Sequence, residues 1–411
     1  MPQLNWKRIL LILGFIAAVI ILGYLLYYFF FKPALPPGPP VNVNVPIGVL
    51  PNVGVNVNVP IANINAILPP SPPPAVAPPS PISEVATGGV TQTLPLTATP
   101  TYGATLAADG SNLLYYDKNV GKFYQLTPDG QSRLLSDQTF YQVEKITWAP
   151  DKAKAVLEYP DGANIVYDFE TKSQVTLPKH WKDFDFSPNS DQLVFKSMGI
   201  NEENRWLAVS SADGSQARKI EHLGNKDATV HPLWSPNGQI IAVYREDLDF
   251  DRQNLYFVGL HNENFKLTIL DGRGFRGQWS PTGKQLLYSV YNSSNDYKPT
   301  LWIVDAEGEN IGQNRRSLKL ETWADKCSFA SGDVIYCAVP QKLEGMAGIF
   351  ATEMDNYPCD IYKIDLKTGF KTMIAQPEGE HNIGRVIVSN DGRYLYFTSK
   401  DDGRLYKIRL K

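Results

Sequence analysis

The sequence predicts an all-β fold, a seven-bladed β-propeller with six or eight blades as alternatives, preceded by a single transmembrane helix and a disordered proline-rich linker. Three observations predict it: an apolar run near the N-terminus, a charge-free proline-rich stretch, and a periodic pattern of short strands. We divide the chain into a cytoplasmic N-terminus (1–8), a transmembrane helix (9–31), a linker (32–90) and a propeller (91–411). A net charge of −3 argues against a nucleic-acid partner.

The membrane partner of the chain is predicted from the run Ile9–Phe31, which has 23 residues without a charge, Asn, Gln or Pro. A helix of about 20 such residues spans the hydrocarbon core of a bilayer. Lys7 and Arg8 precede the run and only Lys32 follows it closely, which favours a cytoplasmic N-terminus. We expect a single-pass protein of the cytoplasmic membrane, with its propeller on the periplasmic or cell-surface side.

Two other interpretations of this run are less consistent with its length. The apolar core of a cleaved signal peptide usually has only about 7–15 residues and an Ala-x-Ala-like site after it, which this run lacks. A buried core helix is disfavoured because the run is apolar on every face. We therefore interpret it as an uncleaved signal anchor.

The linker contains 16 of the 31 prolines, between Pro33 and Ser83, and no charged residue. Proline cannot donate to a β ladder and favours an extended chain. A duplicated Val-Asn-Val-Asn-Val-Pro-Ile segment leaves a small β element open as an alternative. We interpret the stretch as a semi-rigid spacer that holds the folded domain away from the bilayer.

The propeller is predicted from a repeated motif: an aromatic or apolar residue, Ser/Ala-Pro, a polar turn, then an apolar strand. The clear copies are Trp148-Ala-Pro-Asp, Phe186-Ser-Pro-Asn, Trp234-Ser-Pro-Asn-Gly238 and Trp279-Ser-Pro-Thr-Gly283, and weaker copies begin at Leu106, Cys327 and Val388. The spacings are 42, 38, 48, 45, 48 and 61 residues. A period of about 40–50 residues made of short strands indicates four-stranded blades.

This Trp-Ser-Pro-x-Gly pattern resembles the WD40-like repeat of TolB-type bacterial propellers over residues 100–411. The resemblance implies the architecture and leaves the ligand open, since propellers have many functions. The last copy leaves room for only two further strands, so we expect Thr91–Leu96 to complete the last blade and close the ring.

No catalytic or cofactor-binding constellation is evident, and we expect neither enzyme activity nor a cofactor. An anchored propeller also resembles the non-catalytic part of dipeptidyl-peptidase-IV-type hydrolases, but Gly-x-Ser-x-Gly is missing from the sequence. The five histidines are scattered. Asp247, Asp249 and Asp251 form a weak calcium candidate, because Arg252 stands where an EF-hand loop requires glycine.

The sixth repeat contains all three cysteines and the longest insertion. Cys327 and Cys337 flank a turn on neighbouring strands, so a cross-strand disulfide is expected, with Cys337–Cys359 as the alternative. The insertion Gln341–Pro358 should share a face with the loops near Met198–Asn204, Glu246–Arg252 and Asn292–Lys298. Its predicted binding residues are Met346, Ile349, Phe350, Met354 and Tyr357.

Three functions remain open at this level. The leading hypothesis is a membrane-anchored, extracytoplasmic module that binds or scaffolds a protein, another cell-envelope partner or a ligand. The alternatives are a hydrolase or lyase with its site at the mouth of the propeller channel, and a component of cell-envelope assembly.

Overall fold

The computed structural model describes residues 14–15, 17, 19–25 and 81–411. The described residues before position 26 are helical and exposed. Within the described ranges no helix is both long and apolar enough to cross a membrane. Part of the predicted anchor, Ile9–Phe31, lies outside the described residues. Most of the predicted linker, residues 32–90, also lies outside them.

Residues 81–411 form seven β-sheets arranged as the blades of a propeller, which confirms the predicted all-β class and blade number. Two short strands come first, β1 (Val90–Thr91) and β2 (Leu94–Pro95). Blades 1 to 3 are β3–β6 (Thr101–Leu106, Leu113–Asp117, Lys122–Leu126, Ser132–Leu134), β7–β10 (Lys145–Trp148, Lys154–Glu158, Asn164–Asp168, Ser173–Leu177) and β11–β14 (Trp181–Phe186, Gln192–Met198, Arg205–Ser211, Arg218–His222).

Blades 4 to 7 continue in chain order. They are β15–β18 (Val230–Pro232, Ile240–Asp247, Gln253–Gly259, Thr268–Leu270), β19–β22 (Arg273–Trp279, Gln285–Tyr291, Thr300–Asp305, Arg316–Ser317), β23–β26 (Cys327–Ser331, Val334–Pro340, Cys359–Asp365, Lys371–Pro377) and β27–β29 (Ile383–Val388, Tyr394–Ser399, Leu405–Arg409). Single helical turns lie at Glu202–Asn204, Asp227–Thr229, Ser293–Asn295, Gly308–Asn310, Ala324–Lys326 and Ala351–Met354.

The serine of the repeated motif explains why the motif makes a tight turn. The Ser235 hydroxyl accepts a hydrogen bond from the Ile240 amide at 3.0 Å, and Gly238 between them has φ 76°. The same bond recurs at Ser187, Ser280 and Ser389, at 2.9, 3.1 and 3.0 Å. A buried hydroxyl thus satisfies the amide that opens the second strand of each of these blades.

Two tryptophans of the motif, Trp148 and Trp279, join neighbouring blades. The Trp148 indole donates to the Gly103 carbonyl at 2.7 Å, and the Trp279 indole donates to the Leu233 carbonyl at 3.1 Å. Trp279 also packs in a core cluster shared by blades 4 and 5, which includes Phe257 and Tyr288. Each indole therefore adds apolar burial and a satisfied donor at an interface between two sheets.

The N-terminal strands close the ring, which confirms the predicted role of Thr91–Leu96. Strand β2 pairs antiparallel with β29 and supplies the fourth strand of blade 7. Strand β1 adds a contact that the sequence did not predict, because it pairs parallel with β26 as a fifth strand of blade 6. The segment therefore holds the last two blades together.

Candidate functional site

One end of the propeller, here called the loop face, carries the loops between the second and third strands of the blades and the connections from blade to blade. The opposite end carries the Ser-Pro turns. On the loop face, the Ser293 amide donates to Asp251 at 2.9 Å, which joins the loops of blades 4 and 5. The Met346 and Gly348 amides donate to the Asp296 and Tyr297 carbonyls at 2.7 and 2.8 Å, which joins blades 5 and 6.

The insertion of blade 6, residues 341–358, is folded onto the loop face. Its base is closed by the Gln341 amide, which donates to the Pro358 carbonyl at 2.8 Å. Leu343 and Ala347 are buried against Trp323 in a small apolar cluster that Met354 also contacts. The insertion therefore has a core of its own, which fixes the side chains that it presents.

A buried ion pair fixes the far end of the insertion. Lys326 Nζ lies 2.7 Å from Asp355 Oδ1, and the two side chains are 1% and 7% exposed. Lys326 also donates to the Ile383 carbonyl, while Lys400 pairs with the second Asp355 oxygen. The pair connects blade 6, its insertion and blade 7, and further hydrogen bonds at such a site offset the cost of burying charge.

Three of the five predicted binding residues are presented to solvent. Met346, Ile349 and Phe350 are 39%, 41% and 47% exposed. Met354 is half-buried against the Trp323 cluster, and the Tyr357 hydroxyl donates to Glu344 at 2.8 Å. Those last two side chains therefore serve mainly to hold the insertion.

Other exposed apolar side chains on the loop face were not predicted. Ile200 is 98% exposed and Phe250 is 69% exposed, each in the corresponding loop of blade 3 or 4. Leu248, Val120 and Tyr141 lie on the same face. The sequence feature that could have identified these residues is an isolated apolar residue within a short polar loop, as in Gly199-Ile-Asn-Glu-Glu.

The structure gives each carboxylate of the calcium candidate a different partner. Asp247 pairs with Arg273, Asp249 with Arg252 at 2.6 Å, and Asp251 accepts from Ser293. Among the described residues, no group of three or more His, Cys, Asp or Glu side chains is arranged to hold a metal ion. These aspartates therefore act here as partners in hydrogen bonds and ion pairs.

The cysteines of blade 6 adopt the first of the two pairings considered above. Cys327 and Cys337 face each other across β23 and β24 and form a disulfide with a Cα–Cα distance of 4.0 Å. Cys359 is a buried free thiol whose pKa is raised by burial. The disulfide stabilises the hairpin from which the insertion extends.

A charged cleft of about 430 Å³ opens on the loop face between blades 1, 2 and 3. Lys145 Nζ lies 3.4 Å from Glu158 and 3.3 Å from Asp183, and Lys196 lies 2.9 Å from Asp183. Burial raises the pKa of Glu158. Burial would also raise that of Asp183, but the two ammonium groups outweigh it and lower its pKa. The cleft therefore places alternating charges beside the aromatic rings of Tyr102 and Trp181.

Comparison with known proteins identifies the architecture alone. No protein-family model and no curated protein match this sequence. Among solved structures, an oligogalacturonate lyase in complex with manganese is similar over 78% of this chain and 93% of its own, with 15% identity and a TM-score of 0.51. Hydrazine synthase from Kuenenia stuttgartiensis is similar over 76% and 96%, with 14% identity and a TM-score of 0.50.

TolB from Acinetobacter baumannii is also similar, over 67% of this chain and 68% of its own. Its identity is 14% and its TM-score is 0.44. At 15% and 14% identity, the similarities to the lyase and to hydrazine synthase show a shared propeller fold alone, and propellers support unrelated functions.

Proposed function

We propose that the protein is a binding module that holds a partner protein on its loop face. The observation that carries this proposal is the distribution of exposed apolar side chains. In residues 81–411, fourteen large apolar side chains are exposed, and eight of them lie on the loop face: Val120, Tyr141, Ile200, Leu248, Phe250, Met346, Ile349 and Phe350. In this part of the chain, two such residues lie in the loops of the opposite end, Leu267 and Phe370. Apolar groups gathered on one face are typical of interaction surfaces.

The rigidity of the loops that carry these side chains supports the same function. The loops of blades 4, 5 and 6 are joined by main-chain and side-chain hydrogen bonds, and the insertion is fixed by the Lys326–Asp355 pair. A surface held in its binding conformation loses less entropy on association. Tyr141, Phe250 and Phe350 are the aromatic side chains among the eight, and aromatic side chains often dominate binding energy at interfaces.

The proposal includes the location of the module. The apolar run Ile9–Phe31 supports a membrane anchor, and the Cys327–Cys337 disulfide supports an oxidising compartment outside the cytoplasm. Protease treatment of intact spheroplasts tests this. We expect the propeller to be degraded in spheroplasts as fast as in lysed cells. Protection until lysis would contradict an extracytoplasmic propeller.

Site-specific photo-crosslinking in cells tests the binding face. A benzophenone amino acid is placed at Phe250, at Phe350 and, as the matched control, at Phe370 on the opposite end. We expect discrete protein adducts from the first two positions and none from the third. Adducts only from the Phe370 position would place binding on the other face, and equal background at all three positions would contradict the proposal.

The second candidate function is a lyase or hydrolase that acts at the channel mouth, and the charged cleft favours it. Its Lys145, Glu158 and Asp183 groups are of the kinds that transfer protons. Incubation of the protein with acidic and neutral polysaccharides, followed by mass spectrometry of the products, tests it. Cleavage that is lost in Lys145→Met would support an enzyme, and intact polymers would contradict one for these substrates.

A further inference from the structure

The loops that carry the exposed apolar residues are also acidic. Residues 199–204, 248–252, 292–299 and 341–358 contain eight Asp and Glu residues and three Lys and Arg residues. All three cations already have acidic partners. Arg252 pairs with Asp249 at 2.6 Å, Lys298 with Glu321 at 3.5 Å and Lys342 with Glu344 at 3.0 Å. The positive charges of these loops are therefore neutralised within the propeller.

Five of the eight acidic side chains lack a cationic partner in the described part of the chain. Asp251 instead accepts a hydrogen bond from the Ser293 amide at 2.9 Å. The other four are exposed to solvent: Glu202, Glu203, Asp296 and Glu353. Glu202 and Glu203 follow Ile200 in one loop, and Glu353 follows Ile349 and Phe350 in another. The loop face of blades 3 to 6 thus presents apolar groups interspersed with uncompensated negative charge.

We propose that the partner segment held by this face is basic and amphipathic, with Lys or Arg flanking apolar anchors. The inference rests on the proposed function and specifies its partner. An apolar anchor covers Ile200, Phe250 or Phe350, while its cations lie near the free carboxylates. Complementary charge speeds association, and an acidic segment is repelled. Because these carboxylates are exposed, added salt screens the attraction.

Selection from a display library of short random peptides tests the inference, with the full-length protein held in lipid nanodiscs. We expect the enriched peptides to contain more Lys and Arg than Asp and Glu, together with aromatic or aliphatic residues. Their affinity should fall about tenfold in the Glu202→Gln/Glu203→Gln/Glu353→Gln variant, and should fall with salt less steeply there than in the wild type. Phe370→Ser is the control variant and should bind as the wild type does.

A second variant separates the two proposals. If Ile200→Ser/Phe250→Ser weakens binding of the selected peptides but the charge variant does not, or if the peptides are neutral or acidic, the basic partner is wrong and the binding face stands. If the peptides bind this apolar variant as tightly as the wild type, the proposed function itself is contradicted. Thermal melts of each variant establish that the fold is intact.

Discussion

Lys326 and Asp355 form an ion pair of 2.7 Å in the interior of blade 6, where the lysine side chain is 1% exposed. The lysine ends the helical turn that precedes the innermost strand, and the aspartate lies in the insertion, 29 positions later in the chain. A surface loop and the centre of the propeller are therefore connected by one electrostatic contact.

Substitution of this lysine should destabilise the propeller. Lys326→Met leaves the buried Asp355 carboxylate with only Lys400 as a cationic partner. Removal of one member of a buried pair costs about 3–5 kcal/mol, and the remaining Lys400 contact suggests about 3 kcal/mol here. Denaturant unfolding measures the change. Lys342→Met, which removes an exposed pair with Glu344, is the control and should leave the midpoint unchanged. Equal midpoints for the two variants would refute a stabilising role for the buried pair.

Reduction of the disulfide should also lower stability. The bond joins positions ten residues apart, and a closed loop of that length stabilises by about 2–3 kcal/mol through the entropy of the unfolded chain. Unfolding with and without reductant measures this loss. Cys359→Ala should keep the response to reductant, whereas Cys327→Ala/Cys337→Ala should abolish it. A thiol titration of the unfolded, unreduced protein should find one reactive cysteine, and three would show that no disulfide forms.

Deletion of Thr91–Leu96 should open the ring. The deletion removes the Leu96 amide bond to the Leu405 carbonyl at 2.8 Å and the Thr91 carbonyl that accepts from the Glu378 amide at 2.9 Å. Each hydrogen bond contributes about 1 kcal/mol to the free energy of unfolding, and Thr91 is fully buried. We therefore expect the deletion to lower the free energy of unfolding by about 3 kcal/mol or more. A thermal melt measures it. Removal of residues 1–80 is the control and should leave the melting temperature unchanged; a deletion of 91–96 that melts like this control would show that closure does not depend on β2.

Acid should destabilise the protein through His231. Burial, together with Arg245 and Lys196, lowers the pKa of this histidine from 6.5 to about 4. Because the folded pKa lies below the unfolded one, the contribution is fully present above pH 6.5 and is lost as the pH falls toward 4. The resulting decrease in the free energy of unfolding approaches about 3 kcal/mol.

Unfolding free energies of the wild type and of His231→Gln, measured between pH 7 and pH 4, isolate this histidine. The difference between the two proteins should change by about 3 kcal/mol over that range, with the variant less sensitive to acid. A constant difference would show that His231 does not titrate as its burial implies.

The motif residues made the architecture predictable. Trp148 and Trp279 each end an innermost strand. The turns after them recur at regular spacing because every blade needs the same reversal between its first and second strands. The pairing of β1 with β26 was not predictable, since two residues show no period and their partner lies almost three hundred positions away. The same holds for Lys326, whose partners come from the insertion and from blade 7.

The repeated blades, the closing segment and the loop that carries the insertion were predictable from the sequence alone, because hydrophobic alternation and turn chemistry act over a few residues. The sequence favoured seven blades over six or eight, and the assembled sheets established seven. The tertiary structure decided which apolar residues remain exposed. Ile200 and Ile240 are the same residue type, yet one is 98% exposed and the other 0%. Burial depends on which distant strands surround a side chain, so the loop face and its free carboxylates emerged only when the seven blades were assembled.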